Sequence, residues 1–240
     1  VTFAAEPATG GTVLGGGEYY HGQSATVTAG PANYHSFLHW TENDEVVSEI
    51  AEYMFEVTGP RNLVAHFEIF SYVITAAADP AAGGTVTGAG TYDHGTQVSL
   101  VAQPATNYQF LHWTEDGEVI EGALASYAFT AESDRDLVAV FELTQHTLTI
   151  VKVGEGITDP AEGEHVYTHS TQVTLTATNS GMWEFVKWTV GPQTIPGNPV
   201  TVTVNNDMTV TATFQDVTSV TDPDAPEGLT VYPNPSAGRV

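Results

Sequence analysis

Three copies of one pattern constrain the fold of this chain more than any other feature of its sequence. Each copy contains a turn with a histidine, an alternating run, a tryptophan and a closing phenylalanine. The equivalent residues are His21, His94 and His169, then Trp40, Trp113 and Trp188, and then Phe67, Phe141 and Phe214. Neighbouring equivalents lie 73 to 75 positions apart. Three independent markers with one period predict tandem modules of similar structure.

The period divides the chain into repeat 1 (residues 1–69), repeat 2 (70–143) and repeat 3 (144–216). Each repeat is longer than a solenoid or propeller unit, and it is close to the lower size limit of an independent domain. Residues 217–228 are rich in Pro, Asp and Thr and have no periodicity, so we expect a linker there. The last segment, 229–240, does not match the repeat pattern and contains a short motif that is described below.

Within each repeat the side chains alternate between polar and apolar. The clearest runs are Ser24–Ala29, Gln97–Ala102 and Gln172–Ala177, which are rich in Val and Thr. Alternation of this kind predicts half-buried strands, and Pro- and Gly-rich turns separate the runs. We therefore predict an all-β chain with about five or six short strands per repeat and no clear helix.

The charge of the chain excludes several classes of function. The chain has twenty-nine acidic residues and five basic ones, which gives a net charge of −24. Nucleic-acid binding needs clustered Lys and Arg, and an anionic membrane repels an acidic surface. No apolar run is long enough for a membrane span. There is no cysteine, so disulfides and thiolate chemistry are excluded. We expect no nucleic-acid partner and no membrane insertion.

The segment FLHWTE, at Phe37–Glu42 and again at Phe110–Glu115, raises the question of a site. Strict alternation along a strand would place Phe37, His39 and Thr41 on one face and Leu38, Trp40 and Glu42 on the other. Repeat 3 has Lys187 in place of the histidine and Val190 in place of the glutamate. Lysine cannot replace imidazole as a zinc ligand. What all three copies keep is the aromatic residue, the aliphatic residue, the tryptophan and the threonine, which are packing residues.

An alternative is an aromatic surface that stacks on sugar rings or contacts a host protein. The candidate ligand-facing residues for such a surface are Tyr19, Tyr20, Trp40, Tyr108, Trp113 and Trp188.

Catalytic and metal-binding motifs are not found. The sequence has no G-x-S-x-G elbow, no H-E-x-x-H and no complete dinucleotide-binding glycine motif. Acidic clusters at Glu42–Glu45 and Glu115–Glu118, and the group Glu132, Asp134 and Asp136, make calcium the one cofactor to consider. None matches a calcium-loop pattern, so we expect no enzyme activity and no cofactor, with calcium as the open alternative.

The repeats resemble the divergent internalin-type (InlB) B-repeat family of bacterial surface proteins. The shared features are GGTV near the start, Tyr-x-His-Gly before the alternating strand, F-x-x-W-T, and the closing A-x-F-E. They are clearest in repeat 2, from Gly83 to Glu142. Repeat 3 departs from the pattern at Lys187. The resemblance implies small β-grasp-like modules of exported proteins and transfers no catalytic residue.

The tail is similar to the start of a type IX secretion system C-terminal sorting domain. The motif V-Y-P-N-P-x-x-G is matched by Val231 and by Tyr232, Pro233, Asn234, Pro235 and Gly238. This resemblance implies export across the outer membrane of a Bacteroidetes-type bacterium, with the secretion machinery as a partner. Residues 229–240 would be only the truncated beginning of such a domain.

Together these observations favour a non-catalytic stalk, spacer or adhesion region of a secreted or cell-surface protein. Two alternatives remain open at this point. One is a module that binds an extracellular glycan or a host protein, and the other is an accessory region of a secreted hydrolase.

Overall fold

The computed structural model describes residues 1–217, and all regular structure in this range is β. The prediction of an all-β chain built from three tandem modules is confirmed. Within residues 1–217 no helix is long and apolar enough to span a membrane. The linker and the sorting motif at Tyr232, Pro233, Asn234, Pro235 and Gly238 lie outside the described residues, except for Val217.

Each repeat contains seven or eight strands, more than the five or six predicted. Repeat 1 has β1 (Thr2–Glu6), β2 (Gly11–Leu14), β3 (Ser24–Pro31), β4 (His35–Glu42), β5 (Glu45–Ser48), β6 (Glu52–Glu56) and β7 (Asn62–Ile69). Repeat 2 has β8 (Ser71–Asp79), β9 (Gly84–Thr87), β10 (Gly90–Asp93), β11 (Gln97–Pro104), β12 (Tyr108–Glu115), β13 (Glu118–Val119), β14 (Ser126–Thr130) and β15 (Arg135–Leu143). Repeat 3 has β16 (Gln145–Val153), β17 (Gly156–Asp159), β18 (Gly163–Thr168), β19 (Thr171–Asn179), β20 (Trp183–Val190), β21 (Gln193–Ile195), β22 (Val200–Val204) and β23 (Met208–Asp216). The extra strands are short ones that alternation alone does not reveal.

Each repeat folds as two packed sheets. In repeat 2 the larger sheet has the order β10-β8-β15-β12-β13, and the smaller antiparallel sheet has the order β14-β11-β9. Repeat 3 repeats this arrangement with β18-β16-β23-β20-β21 and β17-β19-β22. Repeat 1 has β1-β7-β4-β5 and β2-β3-β6, so its larger sheet lacks the outer strand that β10 and β18 form in the others.

The first and last strands of every repeat are parallel neighbours inside the larger sheet. β1 pairs with β7, β8 with β15, and β16 with β23. A parallel pair needs a long crossover connection, and here the rest of the repeat provides it. The smaller sheet covers the inner face of the larger one, the place that a helix occupies in many mixed sheets.

The described residues form two compact units, one from Val1 to Glu142 and one that starts at Leu143. The first unit contains repeats 1 and 2, and each repeat has its own hydrophobic core. The second unit contains the core of repeat 3. Each core has a fully buried tryptophan and a nearly buried closing phenylalanine.

A β-bulge corrects the predicted faces of the FLHWTE strand. β4 pairs with β7 through Phe37 opposite Phe67 and His39 opposite His66, so Leu38 is left over. One extra residue reverses the alternation, and Phe37 and Trp40 therefore both reach the core, with ring centroids 5.9 Å apart.

The other repeats show the same departure from alternation. In repeat 2 the rings of Phe110 and Trp113 are also 5.9 Å apart, and Leu111 is exposed. In repeat 3 the pairing register shifts between Phe185 and Lys187, and Val186 is exposed. The prediction that the phenylalanine and the tryptophan face opposite ways was wrong in all three repeats.

The GGTV motif and the closing phenylalanine are packed against each other. A Cβ atom on Gly11 would lie 2.5 Å from Cζ of Phe67, and one on Gly84 would lie 2.6 Å from Cζ of Phe141. Such distances are too short for any real Cβ contact, so the second glycine of the motif is required by the ring. This contact connects two parts of the repeat pattern that are about 55 positions apart in sequence.

Substituting Gly11 by alanine is expected to destabilise repeat 1 by about 1–3 kcal/mol, because the Phe67 ring or the nearby Gly30 carbonyl must move. Urea denaturation of the full chain measures this loss. Gly59→Ala is the matched control in the same repeat, since a Cβ there meets nothing within 4 Å. Equal stability of the two variants would contradict the packing role of the motif.

Candidate functional site

The three tryptophans are not available to a ligand. Trp40, Trp113 and Trp188 are all 0% exposed and lie between the two sheets of their repeats. The interpretation of the FLHWT segment as a packing strand therefore agrees with the structure, and the alternative that these rings face a ligand does not.

The tyrosines are placed differently from one another. Tyr108 is half-buried and packs against the core of repeat 2. Tyr19 is half-buried, and its hydroxyl donates to the Gly15 carbonyl at 2.7 Å. Tyr20 is 82% exposed. Of the predicted ligand-facing residues, only Tyr19 and Tyr20 lie together.

Tyr19 and Tyr20 line a cleft of about 660 Å³ at one end of repeat 1. Its other lining residues are Val1, Gly17, Glu18, His21 and the turn Val57–Pro60. The cleft is partly open to solvent and contains one exposed aromatic ring, that of Tyr20. Sequence reasoning identified the two tyrosines but not the cleft.

The glutamate of FLHWTE forms an ion pair that the sequence analysis missed. The guanidinium of Arg61 donates to both carboxylate oxygens of Glu42, with Nε–Oε1 at 3.2 Å and Nη2–Oε2 at 2.7 Å. The same guanidinium lies over the Phe55 ring, with Cζ 4.3 Å from the ring centroid. In repeat 2, Arg135 holds Glu115 in the same way.

Repeat 2 reproduces the stacking as well as the ion pair. Cζ of Arg135 is 4.3 Å from the centroid of the Phe129 ring. The side chains of both pairs are mostly buried, with 17% to 28% of their area exposed. A charged pair that is bidentate and stacked on an aromatic face is a specific packing element.

Repeat 3 has apolar side chains in place of the glutamate, the arginine and the two aromatic residues. Val190 stands at the glutamate position, and Met208 begins the last strand as Arg135 does in repeat 2. Val200 and Val202 stand at the two aromatic positions of β6 and β14, because they pair with β19 in the same register. All four pack in or against the repeat 3 core. The cluster therefore has a structural role that apolar contacts can also fill.

The arginines hold the pKa of Glu42 and of Glu115 below the ordinary value of 4.5, chiefly through their hydrogen bonds to the carboxylates. A carboxyl with a lowered pKa in the folded state contributes stability above its unfolded pKa, and loses it as the pH falls through the folded pKa.

Repeats 1 and 2 are accordingly expected to lose stability below about pH 4.5, through a contribution that repeat 3 lacks. Thermal unfolding at pH 7 and at pH 3, followed by amide signals of each repeat, measures this difference. The double substitution of Glu115→Val with Arg135→Met is the control, since it removes the titrating group. If the pH dependence of repeat 2 is the same in this variant, the pair does not cause it.

Two of the remaining acidic candidates, Asp134 and Asp136, accept hydrogen bonds within repeat 2. Oδ1 of Asp134 accepts from the Val73 amide at 2.8 Å, and Oδ1 of Asp136 accepts from the Thr75 hydroxyl at 2.5 Å. Asp207 accepts from the Thr147 amide in repeat 3. Within residues 1–217, no group of three or more His, Asp or Glu side chains is arranged to hold a metal ion.

The equivalent turn histidines have three different environments. His21 is exposed. The His94 ring stacks on Tyr34 with centroids 3.5 Å apart, and Nδ1 of His169 lies 3.2 Å from Nε2 of His146. No chemistry common to the three repeats follows from these contacts.

Comparison with known protein families matches this repeated architecture. The model of the divergent InlB B-repeat domain matches residues 1–70, 74–145 and 146–218. The chain belongs to the divergent InlB B-repeat family. Repeats of the InlB type occur in surface or exported bacterial proteins, and the domain is a non-catalytic repeat unit. No curated protein is similar enough to this B-repeat chain to count as a relative.

Proposed function

We propose that the three B-repeats form a non-catalytic spacer in an exported bacterial surface protein. The observation that carries this proposal is the junction between repeats 1 and 2. β7 ends at Ile69 and β8 begins at Ser71, so a single residue, Phe70, joins the two modules. A spacer needs a connection of this kind, because a long flexible linker would let its modules collapse on each other.

Contacts from both sides fix the junction residue. The Phe70 amide donates to the Tyr34 carbonyl at 2.7 Å, and the Phe70 carbonyl accepts from the His94 amide at 2.7 Å. The stacked rings of Tyr34 and His94 lie beside these bonds. An ordered junction residue holds two folded modules at one relative orientation. The conformational entropy of the junction is then already lost when the modules fold.

The acidity of the chain supports the same function. A net charge of −24 keeps the modules soluble and opposes association between neighbouring molecules. A passive spacer on a crowded cell surface requires both properties.

Residual dipolar couplings measured on the full chain test the spacer. We expect one alignment tensor to describe repeats 1 and 2 together. Tyr34→Ala removes the ring stack and is expected to separate the two tensors. Tyr108→Ala, a half-buried tyrosine that packs within repeat 2 alone, is the control. Two independent tensors in the unsubstituted protein would overturn the proposal.

Export through the type IX system is part of this proposal. It is supported by the sequence motif Tyr232-Pro233-Asn234-Pro235 with Gly238. Comparing the amount of the protein outside the cell in Bacteroidetes strains with and without that system tests it. Equal amounts in the two strains would contradict it.

Binding of a glycan or a host protein is the second candidate function, and the exposed aromatic ring of Tyr20 favours it. An array of glycans and matrix proteins discriminates between the candidates, and a passive spacer is expected to give no hit. A hit that is lost in Tyr20→Ala but kept in Leu124→Ala would establish the binding function. Leu124 is the matched control because it is 75% exposed on repeat 2. An accessory role beside a hydrolase domain is a third candidate, for which the described residues offer no specific support.

A further inference from the structure

Two histidines of repeat 3 bring one ring nitrogen of each close together. Nε2 of His146 lies 3.2 Å from Nδ1 of His169, and the ring planes are inclined by 62°. His146 is on β16, and His169 follows β18, which pairs antiparallel with β16. The His169 amide donates to the Thr144 carbonyl at 2.8 Å, so the ladder extends one pair beyond Gln145 opposite Thr168. The two histidines are therefore diagonal neighbours across a strand pair, within reach of ring side chains.

Both imidazoles are partly shielded from water. Tyr167 is opposite His146 and packs against the repeat 3 core, so the histidines are on the face of the sheet that points toward this core. The His146 side chain is only 19% exposed, and His169 is half-buried. Side chains that packing already holds in place lose little entropy when they bind a ligand.

The separation of the two nitrogens suits a bound metal ion. Two imidazole ligands of a tetrahedral zinc ion, each with a bond of about 2.0–2.1 Å, have their nitrogens about 3.3–3.4 Å apart. The distance of 3.2 Å between Nε2 of His146 and Nδ1 of His169 is close to this value. Without an ion, one ring donates its N–H to the other nitrogen at this distance. Binding requires that His169 carries its proton on Nε2 instead of Nδ1.

A carboxylate lies beside the other nitrogen of His146. Oδ1 of Asp207 is 3.8 Å from Nδ1 of His146, and the same oxygen accepts from the Thr147 amide at 2.8 Å, which holds the carboxylate in place. A negative charge on that side favours the proton on Nδ1, so Nε2 keeps its lone pair for a ligand. Metal-binding histidines commonly have a carboxylate in this position. The net charge of −24 also attracts cations to the chain.

Repeat 2 has the same frame but only one of the two imidazoles. Tyr72 stands at the position of His146, and its ring lies edge-on to the His94 ring, with centroids 5.9 Å apart. Asp134 stands at the position of Asp207 and accepts the equivalent backbone amide at 2.8 Å. Repeat 2 is therefore an internal control that has the carboxylate and one imidazole but lacks the second nitrogen ligand.

We propose that His146 and His169 form a binding site for a divalent transition-metal ion such as zinc, with Nε2 of His146 and Nδ1 of His169 as its protein ligands. Imidazole nitrogens suit zinc, copper and nickel, and do not suit calcium or magnesium. Water molecules or the Thr144 hydroxyl, whose oxygen lies 3.4 Å from Nε2 of His146, fill the remaining positions. The proposal assigns a ligand class and is independent of the spacer function.

The ion would stabilise repeat 3 by joining two parts of its larger sheet. β18 is the outer strand of this sheet, and His169 is in the turn that follows it, whereas His146 is on the neighbouring strand β16. An ion bound to both rings fixes the end of the outer strand. Because the unfolded chain does not hold the two nitrogens together, binding shifts the equilibrium toward the folded repeat.

Titration of the full chain with Zn²⁺, followed by the ¹⁵N signals of the histidine rings, tests the proposal. The signals of Nε2 of His146 and Nδ1 of His169 are expected to change together and to saturate. Those of His94 and His165 are expected to stay unchanged, because His94 lacks a second imidazole and Nε2 of His165 bonds the Ala161 carbonyl at 2.7 Å. The thermal midpoint of repeat 3 should rise with zinc, and the midpoints of repeats 1 and 2 should not.

Two variants and a matched control locate the site. His146→Tyr reproduces the residue of repeat 2 and is expected to weaken zinc binding at least about tenfold, because one nitrogen ligand is lost. Asp207→Asn keeps an oxygen for the Thr147 amide but removes the charge, and should weaken binding about tenfold. Asp134→Asn makes the same change in repeat 2 and should leave binding unchanged.

Several results would overturn the proposal. One is the absence of any change at His146 and His169 with about 1 mM zinc, and another is undiminished binding by the His146→Tyr variant. A third is equal affinity at His39 and His66, a histidine pair of repeat 1 whose ring centroids are 4.8 Å apart. Nε2 of His66 already lies 2.8 Å from the Thr41 hydroxyl, so equal affinity there would mean that any two adjacent imidazoles capture the ion.

Discussion

Trp113→Ala is expected to destabilise repeat 2 by about 3–5 kcal/mol, which is the usual cost of deleting a buried tryptophan side chain. The ring is fully buried, lies 5.9 Å from the Phe110 ring and donates from Nε1 to the Leu124 carbonyl at 2.9 Å. A module of this size has a total stability of only about 4–11 kcal/mol. The variant should therefore populate an unfolded repeat 2 at low urea concentrations, which loss of its dispersed amide signals would reveal.

Leu111→Ala is the control for this prediction. Leu111 is on the same strand, two residues earlier, and is 48% exposed. Its replacement should change the free energy of unfolding by no more than about 0.5 kcal/mol. If both variants lose the same stability, the tryptophan is not the centre of the core.

The tryptophans also differ in one testable respect. Nε1 of Trp40 and of Trp113 each donate to a backbone carbonyl, whereas the buried Nε1 of Trp188 has no partner within residues 1–217. Phenylalanine lacks the indole donor, so Trp188→Phe removes an unsatisfied group and Trp113→Phe breaks a bond. We expect Trp188→Phe to cost about 1–2 kcal/mol less.

The second large effect is expected in the ion pair of repeat 2. Glu115→Val alone leaves the Arg135 guanidinium between the sheets without its partner, and Arg135→Met alone does the same to the carboxylate. Complete burial would make each loss about 3–5 kcal/mol. Because 18% of the Arg135 side chain and 28% of the Glu115 side chain are exposed, we expect about 2 kcal/mol for each single substitution.

Both substitutions together reproduce the residues of repeat 3. Valine and methionine pack in or against the core there, and methionine also makes favourable contacts with aromatic rings such as Phe129. The double variant should therefore lie within about 1 kcal/mol of the original stability. A double-mutant cycle by urea denaturation measures the coupling between the two sites. A double variant less stable than either single one would contradict the idea that valine and methionine can replace the ion pair.

Glu162→Val provides a reference for an exposed ion pair. Lys152 lies 3.6 Å from this carboxylate, but the glutamate side chain is 53% exposed. The change should cost less than about 1 kcal/mol. A similar cost for Glu162→Val and Glu115→Val would show that the aromatic stack and the burial add nothing to the repeat 2 pair.

The repeat pattern and the alternating runs were enough to predict the all-β class and the tandem modules, because both depend on periodicities that a sequence displays directly. The orientation of FLHWTE could not be predicted in this way. A bulge at Leu38 is a property of pairing with β7, and no residue type in the segment requires it. Once the bulge is known, His39 and Thr41 do share a face, as expected, where the Thr41 hydroxyl lies 2.8 Å from Nε2 of His66.

The ion pair could have been found by comparing the repeats with one another. Repeats 1 and 2 have both the glutamate and the arginine, and repeat 3 has neither, which is the pattern of two residues in contact. Val190, considered by itself, indicates only the loss of a carboxylate. The cleft of repeat 1 had no comparable signal, because the residues that line it come from three separate parts of the sequence.

The parallel pairing of the first and last strands has a mechanical consequence. In repeat 1 the chain enters at the start of β1 and leaves at the end of β7, and these strands are hydrogen-bonded from Thr2 opposite Asn62 to Glu6 opposite His66. Tension on the two ends of a module therefore pulls neighbouring strands in opposite directions along their length. The evenly spaced bonds of a parallel ladder are then loaded in shear and resist together, whereas the bonds of a hairpin pulled at its open end break one after another. A surface protein made of such modules would extend little under the drag of flowing liquid until a whole ladder yields.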